Sequence, residues 1–227
     1  MTYDNKRRFI VTGGAGMIGS ALVWALNNRG IDNILIVDRL GKDEKWRNLV
    51  PLQYADYMDA DDFLRVCKTK GDTLGTVGAI FHMGACSSTT ETDAQYLMKN
   101  NFAYTRDIAQ WAVARRFRFV YASSAATYGD GSAGMSDQTE ALYDYRPLNM
   151  YGYSKHLFDC HAIQRGISRG ILGIKFFNVF GPNENHKGDM RSVVHKGYHQ
   201  ILETGKLRLF KSHRPEYKDG EQKRDFL

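Results

Sequence analysis

Cysteine is scarce: Cys67, Cys86 and Cys160 are the only three in 227 residues, and no two of them form a CxxC pair. Three thiols cannot all pair, so a disulfide framework is excluded as the basis of the fold. Reduced thiols in a cytoplasmic protein are the expectation. No stretch approaches the roughly 18 consecutive apolar residues that span a bilayer, so no membrane helix is expected. The opening MTYDNKRRFIVTGG reaches a glycine-rich turn without an apolar h-region, and no secretory leader is expected there. Internal repeats and low-complexity linkers are also missing. Positive charge is present, with a formal net charge of +6. It is scattered rather than gathered in one block, which argues against nucleic acid and suits a phosphorylated small ligand or a solvated surface. Apolar residues at 43% and charged residues at 25% describe a globular chain. Its length allows one large α/β domain, or one domain plus part of a second.

What is there alternates between strand and helix. Buried strands are expected in RRFIVTGG, NILIVDR (33–39), GAIFHMGA (78–85), RFVYASS (118–124) and GILGIKFFNVFG (170–181). Ile18, Leu22, Ala25 and Leu26 recur at helical spacing between Met17 and Arg29, and Gly30 ends that run. The stretches 94–116 and 149–169 also read as helices. Continuous apolar strands separated by helices predict a doubly wound parallel sheet covered on both faces. After Pro182 the chain turns polar and basic. The division expected is a dinucleotide-binding domain over 1–175 and an incomplete, smaller substrate-binding region over 176–227.

The stretch TGGAGMIG (12–19) follows a strand and opens a helix, where a phosphate-binding turn belongs. Gly13, Gly14, Gly16 and Gly19 satisfy both G-x-G-x-x-G and G-x-x-G-x-x-G. Such glycines permit close backbone approach, and the helix N-terminus offers N–H groups to a pyrophosphate. Asp38 follows at the end of the second strand, where it reaches an adenosine ribose. Asp38 favours a free 2′-hydroxyl, whereas Arg39 and Lys45 supply the cations that a 2′-phosphate needs. The balance leans to NADP, with NAD open and a solvated charged loop as the bland alternative.

YGYSK (151–155) places the Tyr151 phenol and the Lys155 ammonium on one helical face. With 13 tyrosines in the chain, roughly one such spacing arises by chance, so the pair needs company. Ser123 and Ser124 supply it at the end of the preceding strand. An ammonium near a phenol lowers its pKa toward working pH, and a serine hydroxyl can hold the same substrate oxygen. Ser, Tyr and Lys behind a dinucleotide turn form a proton-transfer set for oxidising an alcohol.

The segments GACSSTTE (84–91), YASSAATYG (121–129), PLNMYGYSK (147–155), FFNVFGPNENHKGDM (176–190) and KRDF (223–226) carry a resemblance that runs from about Arg8 to the last residue. By them the chain resembles the extended short-chain dehydrogenase/reductases, the family of nucleotide-sugar epimerases and dehydratases with a Rossmann domain. SSTTE and HKG place it nearest the branch that epimerises ADP-linked heptoses. The resemblance implies an isomerase that keeps NADP bound, oxidises the heptose C6 alcohol and returns hydride to the opposite face, supplying lipopolysaccharide core synthesis. It also implies a homo-oligomer, a pentamer in that branch. Inverting a centre needs a base on each side, and the resemblance assigns Tyr151 and Lys187 to them. From its residues alone Lys187 reads as a solvated loop lysine.

By the same resemblance, cofactor contacts fall on Gly13, Gly16, Met17, Ile18, Gly19, Asp38, Arg39 and Lys45. Met83, Gly84, Ala85, Cys86, Ser87, Asn100, Lys155, Val179 and Lys187 complete them. Substrate contacts fall on Asn178, Asp189, Lys196, Phe210, Lys211, Ser212, His213 and Arg224. The family pattern continues past KRDF, so a substrate lobe only partly present is expected, with an impaired, NADP-binding fragment as one alternative. Another is a UDP-hexose 4-epimerase or a dTDP-glucose 4,6-dehydratase. The dehydratase pattern wants an Asp–Glu pair after the active-site Ser or Thr, where this chain has SAA. His82 beside Cys86, and His195 with His199, lack further partners at ligand spacing, so no metal is expected. Trp24 and Trp111 sit in helical apolar stripes and are expected in the core.

Overall fold

The computed structural model describes residues 6–69, 74–212, 215–223 and 226. Among them, β1 (Arg8–Thr12), β2 (Ile34–Asp38), β3 (Asp56–Asp59), β4 (Val77–His82), β5 (Arg118–Ser124) and β6 (Ile171–Phe176) form one sheet in the order β3-β2-β1-β4-β5-β6. Every pairing is parallel. Parallel neighbours need crossovers, supplied by α1 (Met17–Asn27), α2 (Ala60–Lys68), α4 (Tyr104–Ala114) and α5 (Met150–Gln164). The expected doubly wound α/β sheet is the one observed.

Alternation along the strands sorts the core into two layers. From β1 and β2, Ile10, Leu35 and Val37 point to one face and meet Phe63, Ile80, Ile108, Phe119 and Phe158. Val11, Ile34 and Ile36 point to the other and meet Val23, Leu26, Ile31 and Leu49. β2 is buried at all five positions because helices cover both faces.

Several boundaries differ from the sequence reading. The strand β3 and the helix α2 were not anticipated: β3 reads Asp-Tyr-Met-Asp, polar because it is an edge strand with no fully buried position. The helix expected over 94–116 runs without interruption to Ala114, but α3 (Ala94–Leu97) passes through a π-helical stretch (Met98–Ala103) before α4. Trp24 is not core. The buried side of α1 is Met17, Gly19, Ser20, Val23 and Leu26, which turns Trp24 outward to 60% exposure. Trp111 does pack against the first core layer, edge-on to Phe63 and Phe117. The last helix, α6 (Val193–Thr204), follows a 3₁₀ segment over Asn185–Met190 and carries an exposed apolar side.

Candidate active site at the sheet switch point

The chain order reverses between β1 and β4, and ligands of such sheets lie beyond the carboxyl ends there. Register aligns Thr12 with Val37 and His82, and His82 with Tyr121. The residues at or just past the strand ends, Gly13, Asp38, Met83 and the Ser123–Ser124 pair, therefore share one edge.

The glycine turn is built for close approach. Gly13 has φ +67°, and a side chain there would come within 2.7 Å of the Gly84 backbone; one at Gly19 would collide with the Gly13 carbonyl. Helix α1 starts after Gly16 with no side-chain cap and no acid in its first turn, which leaves its first-turn N–H groups for an anion. These features fit a dinucleotide diphosphate. Beneath the turn, His82 sits between Thr12 and Thr105, Nδ1 2.7 Å from Thr12 Oγ1 and Nε2 2.9 Å from Thr105 Oγ1. Burial pushes this imidazole down to about 3, so it is a neutral, packed histidine rather than a ligand.

Where an adenosine ribose was expected, Asp38 is buried and already engaged. Its Oδ2 accepts the Ala15 N–H at 2.9 Å, and its Oδ1 accepts from the Arg39 N–H at 2.7 Å and Lys45 Nζ at 3.0 Å. The two cations expected to be ready for a 2′-phosphate are thus each paired with an acid. Lys45 pairs with Asp38, and Arg39 Nη2 lies 2.6 Å from Asp61 Oδ1.

The Tyr–Lys pair sits on α5, and local sequence explains how. Asn149 caps the helix, its side chain accepting the Gly152 N–H at 2.8 Å. Gly152 then lets the first turn approach the segment after β5: a Cβ there would lie 2.6 Å from the Ala126 carbonyl oxygen. Tyr151 is so brought to the Ser124 end of β5. Lys155 is buried and donates to the Ala122 carbonyl at 2.8 Å.

The expected lowering of Tyr151 by Lys155 is not what the geometry gives. Burial raises the phenol above its ordinary value, and the neighbouring Ser124 hydroxyl works in the opposite direction. The Lys155 ammonium is turned to Ala122, and burial pushes it down to about 8 against the pull of Asp159.

Lys187 is brought to the glycine turn by the 181–192 loop. Its Nζ is 3.7 Å from Met17 Sδ and 3.9 Å from the Glu184 carboxylate. Glu184 is buried and anchors the loop, accepting from the Ser192 N–H and hydroxyl and from the Gly181 N–H. Asn183 Nδ2 donates to Ser20 Oγ on α1 at 3.0 Å.

The remaining nominated residues are less gathered. Met83 to Cys86 are partly buried after β4, while Ser87 is exposed. Asn100 accepts from Arg39 at 2.8 Å. Asn178 bridges to Phe226, with Val179 beside it. The Asp189 side chain is fully exposed, and Lys196 Nζ donates to the Asp189 carbonyl at 2.5 Å. Phe210 and Lys211 are exposed, and the Ser212 N–H donates to Asp219. His213 and Arg224 lie outside the described residues. The His195 and His199 rings lie 4.6 Å apart, tilted by 43°, and no group of three metal-ligating side chains occurs among the described residues.

Sequence reasoning missed four supports. Asn101, in the π-helical turn, accepts the Cys86 N–H, donates to the Cys86 carbonyl and reaches Ser154 Oγ on α5 at 3.1 Å. Asp159 accepts from Tyr121, Ser123 and Lys175 at 2.7–2.8 Å. Gly152 and Glu184 are the others. Asp159 stands one turn beyond Lys155, which was the available signal.

Over residues 9–227 the chain matches the model of the NAD dependent epimerase/dehydratase family. It is 54% identical over 219 residues to the ADP-L-glycero-D-manno-heptose-6-epimerase of Nitratidesulfovibrio vulgaris, covering 96% of this chain and 68% of that protein. It is 51% identical over 223 residues to the protein of the same name from Fusobacterium nucleatum, covering 96% and 66%. Among solved structures, the Helicobacter pylori ADP-L-glycero-D-manno-heptose-6-epimerase superposes with a TM-score of 0.80 at 25% identity, covering 100% of this chain and 70% of that one. The chain spans about two thirds of the length of the curated relatives it matches. Among the described residues, no helix is long and apolar enough to cross a membrane.

Proposed function

Because this chain belongs to the NAD dependent epimerase/dehydratase family, we propose that it inverts C6 of an ADP-linked glycero-manno-heptose by transient oxidation and re-reduction. The observation that carries this reading is the seating of α5 against the end of β5, where Lys155 Nζ meets the Ala122 carbonyl at 2.8 Å, two residues before Ser124, with Tyr151 one turn earlier on the same helix. The names of the relatives at 51–54% identity supply the substrate.

A bound nicotinamide dinucleotide supplies the hydride acceptor and donor. Tyr151 takes the proton of the reacting hydroxyl, and Ser124 donates to the same oxygen. Inversion requires proton exchange from the opposite face, and Lys187, held beside Met17, is the group we assign to it. Lys155 would hold the nicotinamide ribose, and the glycine turn the diphosphate. We read NADP as the preferred form, with Arg39 and Lys45 reaching its 2′-phosphate. In this reading the enzyme serves lipopolysaccharide core synthesis in the cytoplasm and works as a homo-oligomer.

The test follows the heptose C6 signal by NMR in a mixture of protein, NADP and ADP-linked heptose. Tyr151→Phe and Lys187→Met are each expected to slow epimerisation by roughly 10²–10⁴-fold, with the dinucleotide still bound. Turnover that survives Tyr151→Phe would overturn the assignment of that base, and turnover that survives Lys187→Met the assignment of the second.

A further inference from the structure

The adenosine end of the site contains two matched charge pairs where a 2′-phosphate would need unmatched cations. One is internal to the site, Lys45 with the buried Asp38. The other joins separate elements: Arg39 follows β2, and Asp61 stands in the first turn of α2. Asp61 is held below the usual carboxylate range by the Arg39 hydrogen bond, with Lys99 and Arg65 adding to the effect. It is therefore charged at any working pH.

We propose that Asp61 is a specificity-determining residue that competes with the cofactor 2′-phosphate for Arg39 and so restrains the preference for NADP over NAD. This rests on the reading that Arg39 meets the adenosine ribose.

Asp61 could help or hinder a phosphate, and three contacts decide which. Help would come from holding the long arginine arm in place, which spares rotamer entropy. That service is already rendered by others: Arg39 Nη1 donates to Asn100 Oδ1 at 2.8 Å, and the guanidinium lies 5.4 Å from the centre of the Tyr104 ring. Asp61 adds little to the positioning. What it does add is a full negative charge bonded to the guanidinium that a phosphate carrying −1.5 to −2 would share. Like charges on one cation repel even in water-like surroundings. NAD, with a neutral hydroxyl at that position, does not feel this penalty. Both side chains of the pair are substantially exposed, so the effect is screened and its scale is modest, roughly three- to tenfold in affinity.

The experiment is a calorimetric titration of the protein with NADP and with NAD at low ionic strength. The Asp61→Asn variant keeps an oxygen to accept from Arg39 while removing the charge. It is expected to bind NADP about three- to tenfold more tightly and NAD within about twofold of the parent. Asp62→Asn is the control: it removes the same formal charge one residue away, from an acid paired with Arg65 rather than Arg39. It is expected to change neither affinity by more than about twofold. In an Arg39→Ala background the Asp61→Asn gain should vanish, since the two act as a unit.

Weaker or unchanged NADP binding in Asp61→Asn would overturn the proposal, as would equal tightening of both dinucleotides or an equal gain from Asp62→Asn. The cofactor reading fails separately, by a parent protein that binds NAD more tightly than NADP. A parent that binds neither overturns both.

Discussion

At His82 the surroundings turn an ordinary imidazole into a permanently neutral hydrogen-bonding bridge between two threonines. Unfolded, that side chain takes up a proton near pH 6.5; folded, it does so only at about 3. Between these values the unfolded state binds the extra proton, so stability must fall as pH falls, by about 1.4 kcal/mol per pH unit for one such group. His156, His161 and His186 are lowered in the same direction by burial and add to the same limb. Urea denaturation between pH 7 and pH 5 is expected to show this loss. His82→Gln, which cannot titrate, is expected to flatten the limb by one proton's worth relative to its own pH 7 value. An unaltered slope would mean that His82 is not the buried neutral group described. At Lys155 the sign is reversed. Its ammonium is disfavoured when folded, so the cost of burying it is present below about pH 8 and disappears as pH rises through 10.5.

Among the elements, α5 shows how one small residue sets a site. Alanine in place of glycine inside a helix ordinarily stabilises by about 1 kcal/mol. At Gly152 the opposite is expected, because a Cβ would lie 2.6 Å from the Ala126 carbonyl oxygen and push the helix start away from Ser124. Gly152→Ala should destabilise the fold by roughly 1–3 kcal/mol, the scale of overpacking. It should also lower turnover, with the loss in kcat larger than that in KM. Chemical denaturation and kinetics on one preparation check both, and a stabilised variant with normal turnover would show that α5 does not need this approach.

The elements also show what a sequence can and cannot carry. β1, β2, β4 and β5 were legible because burial on both faces writes continuous apolar runs such as ILIVD. The polar edge strand β3 has no such run, and without it α2, and Asp61 with it, had no frame. The π-helical turn was invisible because its residues MKNNFA are compatible with an α-helix, and only the contacts of Asn101 with Cys86 and Ser154 explain the bulge. Trp24 misled for a related reason: its helix is apolar on more than one side. In the site, Ser124, Tyr151 and Lys155 were readable from spacing, but the bonds that brace their neighbours, Ser123 to Asp159 and Ser154 to Asn101, span 36 and 53 residues and leave no periodic trace.

Over the whole molecule, stability is expected to be uneven and the dinucleotide to act where it is strongest. β1, β2 and β4 are buried in two core layers, whereas β6 exposes Leu172 and Ile174 and α6 exposes Tyr198, Ile201 and Leu202. Local opening follows burial, so amide exchange should be slowest in the first group and fastest in the second. A ligand that binds only the folded state at a hundred times its Kd adds about 2.7 kcal/mol to unfolding. For a chain of this size that raises the thermal midpoint by roughly 5–10 °C. The glycine turn, Asp38 and the Met83–Cys86 segment all hang from the ends of the buried strands. NADP should therefore slow exchange at residues 13–19, 38–45 and 83–87 and leave α6 nearly unchanged. Hydrogen-exchange mass spectrometry with and without NADP measures this directly. Protection confined to α6 and the residues after it, with none at the glycine turn, would place the dinucleotide elsewhere and remove the premise on which the Ser124–Tyr151 pair was read as a redox site.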